Sequence, residues 1–175
     1  AILWRLFQTS YDLEIFAEAN RWCSEGQRRF PDDDDFVACQ LWMLTTRVGS
    51  TNVDSAWALL GELEQRLPER RREFYRREGQ MLVAAAIARA ELPDSARSVL
   101  LEARGNPDID PDRSLTTLEA FIRTILGDND EAIRLLREYM VSNPHHRDEE
   151  TEDVHWWYRD LQNDPRYQEL MRPSR

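Results

Sequence analysis

The chain has 175 residues, of which 41% are hydrophobic, so it can bury the core of one domain or of one short repeat array. Its net charge of −10 argues against nucleic-acid binding, which depends on basic groups that neutralise phosphates. The apolar runs are all shorter than the ~18 residues of a membrane-spanning helix, and we therefore expect no membrane insertion.

All 23 basic residues are arginine, a bias that suggests a GC-rich bacterial genome. The first residue is not methionine, so we expect a piece of a longer protein.

Apolar residues recur along the chain at spacings of three and four, which predicts amphipathic helices. Glycine, aspartate and proline separate them, as at the Gly127 turn and the Pro144 stop. The predicted helices cover residues 1–10, 12–30, 36–47, 54–67, 69–90, 94–104, 113–126, 130–142 and 152–162, and a last short helix ends in Leu170-Met171.

Four of these helices share one spacing: a small residue, an apolar residue four later, a small or apolar residue three later, and a proline. The fourth has its proline one residue early. The prolines lie 37, 39 and 37 residues apart, a period typical of helical repeats with two helices each. The four sets are Ala19, Cys23, Gly26, Pro31; Ala56, Leu60, Leu63, Pro68; Ala96, Leu100, Ala103, Pro107; and Ala132, Leu136, Tyr139, Pro144.

The spacing resembles that of the tetratricopeptide repeat (TPR) family, in which a small alanine, a bulky residue and a terminal proline mark the second helix. The resemblance implies an all-α fold, a short right-handed solenoid of about four helix pairs with a C-terminal capping helix. We expect a single domain over residues 1–175, with repeats at 1–31, 34–68, 71–107 and 113–144 and the cap at 152–172.

The same resemblance implies a concave groove lined by the first helix of each pair. By the family pattern, the expected partner-binding residues are Gln40, Met43, Arg47, Tyr75, Arg76 and Arg123.

An arginine-rich run occupies the start of the longest predicted helix. Interleaved glutamates favour a solvated, ion-paired helix start, whereas bidentate recognition by arginine would suit an acidic peptide or a phosphate. The run comprises Arg66, Arg70, Arg71, Arg72, Arg76 and Arg77 with Glu69, Glu73 and Glu78.

Two cysteines, Cys23 and Cys39, fall on neighbouring helices of successive repeats. Two buried free thiols are one interpretation, since free cysteine behaves as a small hydrophobe, and they fit a cytoplasmic protein. A disulfide bridge is the alternative, and it would indicate a periplasmic or extracellular protein.

Residues suited to catalysis or metal binding occur in patterns that other roles explain. The aspartates at 32–35 lack the spaced ligands and glycine of a calcium loop and suit the capping of a helix. His145, His146 and His155 lie in one charged segment without the spacing of a zinc motif. We therefore expect no enzyme activity, no metal and no cofactor.

The sequence predicts a non-catalytic scaffold that binds a peptide or protein partner through its groove. One alternative is a C-terminal regulatory or structural segment of a larger bacterial signalling protein, such as a Ser/Thr kinase. A second is a helical scaffold that binds a small molecule or glycan, and six tryptophans motivate it. Large aromatic residues at helical spacing are more typical of cores and interfaces.

Overall fold

The computed structural model describes residues 2–48, 52–144 and 155–172, and every regular element in these ranges is a helix. Eight α-helices are followed by a 3₁₀ helix, Trp156–Leu161, and by α9, Pro165–Leu170. The eight are α1 Ile2–Asp12, α2 Phe16–Arg29, α3 Asp35–Met43, α4 Val53–Arg66, α5 Glu69–Arg89, α6 Pro93–Ala103, α7 Ser114–Ile125 and α8 Asn129–Ser142. The all-α prediction is confirmed.

The helices form two compact units, residues 1–103 and residues 104–175. The boundary follows α6, so that three helix pairs belong to unit 1 and the pair α7/α8 belongs to unit 2. The single domain expected over the whole chain stays a prediction.

The predicted and observed helices differ by four residues at the start of α2, which begins at Phe16 and not at residue 12, and at the end of α3, which stops at Met43 and not at residue 47. The hydroxyls of Thr45 and Thr46 donate to the carbonyl oxygens of Trp42 and Met43, at 2.7 and 2.8 Å. Because these threonines bind carbonyls of the last helical turn, the chain leaves the helix there. Val48, which would have directly followed the predicted end of the helix at residue 47, is 58% exposed.

Unit 1 is built from helices that pack on their neighbours in the chain. Each of the helices α1 to α5 packs on the next helix in the chain. In addition, α3 contacts both α1 and α5. Ala19, Ala56 and Ala96, the small residues of the repeated spacing, are completely buried. Small side chains at these positions let the helices approach closely.

Gly26 on α2 lies directly against the Phe36 ring of α3. A Cβ atom on Gly26 would lie 2.0 Å from Cε1 of Phe36, whose side chain is 1% exposed. The ring of Phe36 thus fills the space that any side chain at position 26 would occupy.

Thr45 links the C-terminal ends of the three first helices α1, α3 and α5. Its hydroxyl lies 2.6 Å from the Tyr11 hydroxyl, and its carbonyl accepts from the Arg89 guanidinium at 3.0 Å. Thr45 is completely buried, so its bond to Tyr11 is shielded from water, whereas the bond from Arg89 is partly buried.

Unit 2 consists of the pair α7/α8 and the C-terminal elements. Gly127, at φ +74°, forms the turn between α7 and α8, as the sequence predicts. The 3₁₀ helix packs on α7 and α9 packs on α8. Leu161, Tyr167 and Leu170 are buried there, so these elements cover apolar surface of the last pair. Residues 152–154 of the predicted cap lie outside the described residues.

Among the helices of the described ranges, none combines the length and apolarity needed to cross a membrane.

Candidate interaction surfaces

The groove residues expected on the second repeat lie at and beyond α3. Gln40 and Met43 are half-buried on α3, and the Gln40 amide donates to the Phe36 carbonyl at 3.1 Å. Arg47 is exposed but lies past the end of the helix. Gln40 and Met43 therefore lie on the packed helix α3, whereas Arg47 lies in the segment that follows it.

Tyr75 and Arg76, expected on the third repeat, lie in the arginine-rich first half of α5. The Arg71 guanidinium carbon is 4.5 Å from the centroid of the Tyr75 ring, and Nη2 of Arg71 is 2.7 Å from the Tyr75 hydroxyl. This cation–π contact holds the tyrosine ring along the helix surface. Tyr75 therefore offers an aromatic surface already fixed in place by Arg71.

Part of the charge of the arginine run is neutralised by ion pairs within unit 1. The Glu73 carboxylate binds Arg76 at 2.7 Å and Arg77 at 2.8 Å. The hydrogen bond from Arg76, supported by Arg77, lowers the pKa of Glu73. These pairs match the ion-paired interpretation of the run and leave less positive charge for a phosphate or an acidic peptide.

Aspartates of the turn before α3 add negative charge near the same helix start. Oδ1 of Asp33 accepts from the Asp35 amide at 3.1 Å, whereas Asp34, the N-cap residue of α3, makes no capping hydrogen bond through its side chain. Burial raises the pKa of Asp35, the charges of Asp33 and Asp34 raise it further, and the Arg71 charge acts in the opposite direction. The turn and the start of α5 thus form one mixed-charge surface of unit 1.

Arg123, the expected groove residue of α7, is buried within unit 2. It is 7% exposed; it donates to Glu119 at 3.1 and 3.2 Å and to Asp128 at 3.1 Å. Arg104 binds both oxygens of Glu119, at 2.7 and 2.8 Å, and one oxygen of Glu131 at 2.9 Å. These ion pairs give Arg123 an internal role, and little of its surface is left for a partner.

Glu131 continues this network to the surface of α8. Hydrogen bonds from Arg134, at 2.8 Å to each carboxylate oxygen, together with the Arg104 pair lower the pKa of Glu131 to about 2. The carboxylate therefore stays ionised well below the usual range for glutamate. Acid should weaken the network only at low pH.

A strip on α7, formed by Thr117, Phe121 and Thr124, is covered by the segment 155–158. Trp157 stacks on the Phe121 ring with centroids 4.6 Å apart and an interplanar angle of 5°, and Trp156 meets the same ring edge-on at 5.2 Å. The Tyr158 hydroxyl donates to the Thr117 carbonyl at 2.9 Å.

The third member of this strip binds the main chain of the segment. The Thr124 hydroxyl shares its single proton between the Phe121 carbonyl of its own helix, at 2.6 Å, and the Trp157 carbonyl, at 3.1 Å. The strip on α7 thus recognises aromatic side chains and one backbone carbonyl.

A shallow cleft of about 490 Å³ lies between α8 and α9. Met140, Val141, Pro144 and Leu170 form its apolar part, and Arg137 and Glu169 complete the lining. The lining contains no tryptophan, so this cleft offers nothing in favour of a tryptophan-lined glycan site.

Cys23 on α2 and Cys39 on α3 have their sulfur atoms at bonding distance and their Cα atoms 5.8 Å apart. That separation is ordinary for a disulfide. Both residues are buried, at 2% and 0% exposure. Of the two interpretations of these cysteines, the structure has the bridge in place of the free thiols.

No family model, curated protein or solved structure matches this chain.

His145 and His146 lie outside the described residues. His155, just before the 3₁₀ helix, accepts from the Trp157 amide at 3.4 Å.

Two features of unit 2 could not be predicted from the sequence: the buried Glu119–Arg123 pair and the strip on α7. Leu115, Leu118 and Ile122 recur on α7 at spacings of three and four, and these residues are buried. Glu119 and Arg123 are buried beside them because Arg104 and Asp128 complete their ion pairs. The adjacent tryptophans at 156 and 157 indicate an interface. The residue that they contact, Phe121 on α7, is far from them in the sequence and therefore could not be predicted.

Proposed function

We propose that this protein is a non-catalytic scaffold that binds a peptide or protein partner. The proposed architecture is a short right-handed solenoid of the TPR type, and the proposed binding face is formed by the first helices of unit 1. The observation that carries the proposal is the stacking pattern, in which α3 contacts both α1 and α5 while each also packs on its partner helix.

The burial pattern of the second helices supports the same architecture. Every alanine of the repeated spacing, including Ala132 of unit 2, is completely buried. The bulky residues one turn later are 0 to 3% exposed; they are Cys23, Leu60, Leu100 and Leu136. The alanine and the bulky residue of the repeated spacing are thus buried in the same way in all four second helices, which is typical of helical repeats.

The composition of the candidate face suits a peptide that contributes both apolar and polar side chains. Met43 is an adaptable apolar residue, and Tyr75 is a half-buried aromatic held by Arg71. Aromatic and methionine side chains are enriched in protein interfaces. Because Arg76 and Arg77 are ion-paired with Glu73, we expect a partner recognised more by shape and apolar contact than by net charge.

The disulfide bridge favours an oxidising compartment, periplasmic or extracellular, over the cytoplasm. A thiol count on protein denatured without reductant tests this part of the proposal. Absence of reactive thiol supports an oxidising compartment, and two reactive thiols would contradict it.

Selection of peptides on the immobilised full chain tests the binding function. We expect Met43→Ala and Tyr75→Ala each to weaken a selected peptide by at least about tenfold, equivalent to ~1.4 kcal/mol. Trp57→Ala is the matched control, because Trp57 is a 41% exposed aromatic on a second helix, α4. Failure to select any peptide, or equal losses in all three variants, would refute the proposed face.

A further inference from the structure

We propose that the strip on α7 is itself a peptide-binding surface, specific for a segment with adjacent aromatic residues, and that residues 155–158 of the same chain occupy it here. This inference rests on the proposed function and gives it a second surface, in unit 2. The partner it predicts is a short linear segment that carries two neighbouring tryptophans or similar aromatic side chains.

The strip has the spacing of a recognition surface on one helix face. Thr117, Phe121 and Thr124 lie four and three residues apart, so their side chains share one side of α7. Phe121 provides the central ring, and the backbone carbonyl of Thr117 and the hydroxyl of Thr124 provide one acceptor and one donor on either side of it.

Three consecutive residues make all of these contacts with the strip. Trp156 and Trp157 contact the Phe121 ring, the Trp157 carbonyl accepts from Thr124, and the Tyr158 hydroxyl donates to Thr117. Because the contacts come from one short run of sequence, a separate peptide with the same side chains can reproduce them. A surface that recognised a folded helix would instead be contacted by residues three and four apart.

The segment on the strip meets the last helix, α9, at a ring contact, in which the centroids of Tyr158 and Tyr167 are 6.3 Å apart. Leu161 and Leu170 are buried, and α9 packs on α8. Tyr158 breaks the helical geometry of its short 3₁₀ helix, with φ −109° and ψ 18°. Because this break lies between the two tryptophans and α9, we infer that Trp156 and Trp157 can leave the strip while α9 stays packed on α8.

Because residues 155–158 of the same chain occupy the strip, an added peptide has to compete with them for it. A tethered segment acts at an effective concentration that can reach about millimolar, so an added peptide meets a strong intramolecular competitor. Removing the aromatic side chains of the tethered segment should therefore raise the affinity for an added peptide.

Fluorescence anisotropy with a labelled synthetic peptide of residues 155–161 tests the inference on the full chain. We expect the double variant Trp156→Ala/Trp157→Ala to bind the peptide at least about tenfold more tightly than the wild type does, since its own segment no longer competes. Adding Phe121→Ala should abolish that gain, and a peptide with both tryptophans replaced by alanine should not bind. Equal affinity for wild type and double variant, or a gain that survives Phe121→Ala, would overturn the inference.

Hydrogen exchange on the wild type gives a second test that does not depend on how the variants fold. We expect the amides of residues 156–158 to exchange at least about tenfold faster than the buried amides of α7, because the segment opens locally. Equal protection of both would mean that the segment leaves only on global unfolding, and it would overturn the inference. Either negative result leaves the Met43 and Tyr75 face of unit 1 unaffected, so the proposed function can stand or fail separately.

Discussion

Alanine at position 26 would force its methyl group into the ring of Phe36. The added Cβ would lie 2.0, 2.1 and 2.6 Å from three ring atoms, whereas carbon atoms in contact are ~3.5–4.0 Å apart. The ring would have to retreat by about 1.5 Å in a site where the Phe36 side chain is 1% exposed. The substitution therefore overpacks the contact between α2 and α3.

The size of the effect follows from two opposing terms. Overpacking a tight core costs ~1–3 kcal/mol, and an approach of 2.0 Å belongs to the upper part of that range, ~2–3 kcal/mol. Alanine in place of glycine inside a helix offsets ~1 kcal/mol of this cost. We expect Gly26→Ala to lower the free energy of unfolding by about 1–2 kcal/mol. For a chain of this length that loss would lower the melting temperature by ~2–8 °C.

Gly61→Ala is the matched control, because a Cβ atom at Gly61 on α4 would meet no atom within 4 Å. It keeps the helix-propensity gain without the clash, so the two variants should differ by about 2–3 kcal/mol in denaturant unfolding followed by circular dichroism. Gly79→Ala should fall between them, since its nearest obstacle is the end of the flexible Leu60 side chain at 2.5 Å. If Gly26→Ala proved as stable as Gly61→Ala, the close packing of Phe36 on α2 would be refuted.

Three further predictions concern the disulfide and the ion pairs of unit 2. Cys39→Ser removes a bridge that closes a loop of 16 residues, and it should cost ~3 kcal/mol in denaturant unfolding without reductant. Glu119→Gln leaves the buried Arg123 without its carboxylate partner, and it should cost ~3 kcal/mol in the same assay. The low pKa of Glu131 means that its pairs stabilise the folded state fully above its unfolded pKa, near 4.5, and less as pH falls toward about 2. Glu131→Gln should therefore be destabilising at neutral pH and should lose less stability than the wild type on acidification.

Each of these predictions has its own control. Strong reductant should bring the wild type to the stability of Cys39→Ser, and an unchanged wild type would contradict the bridge. Glu18→Gln breaks an exposed pair with Arg21 and should cost less than ~1 kcal/mol. If Glu119→Gln cost no more than Glu18→Gln, the buried role of Glu119 would be refuted. Parallel pH profiles for Glu131→Gln and the wild type would exclude Glu131 as the source of the acid sensitivity.

The order and type of the helices could be predicted from local signals in the sequence. Asn52 caps α4 by accepting from the Ser55 amide at 3.0 Å, and Gly127 adopts the positive φ of a helix end. The buried alanines follow from the repeated spacing as well. These features depend on residues close in the chain, which is why a single sequence is enough to find them.

The features that could not be predicted depend on distant contacts. Arg123 fits an exposed groove position by pattern, but Arg104 and Asp128 complete a buried network around it. The sequence around Trp157 does not indicate its contact with Phe121, because the whole of α8 lies between the two residues in the chain. The hydrogen bonds of Thr45 likewise join residues from three helices, and helical periodicity carries no information about them.

The position of Thr45 has a mechanical consequence for unit 1. Its hydrogen bonds to Tyr11 and Arg89 tie α1, α3 and α5 together at their C-terminal ends. A ligand that wedges between these helices would meet the greatest resistance there, and the helices would separate mainly by rotation about this end. On the proposed binding face, stiffness should therefore increase along the helices toward Thr45, and bulky side chains should be accommodated most easily at the opposite, N-terminal ends.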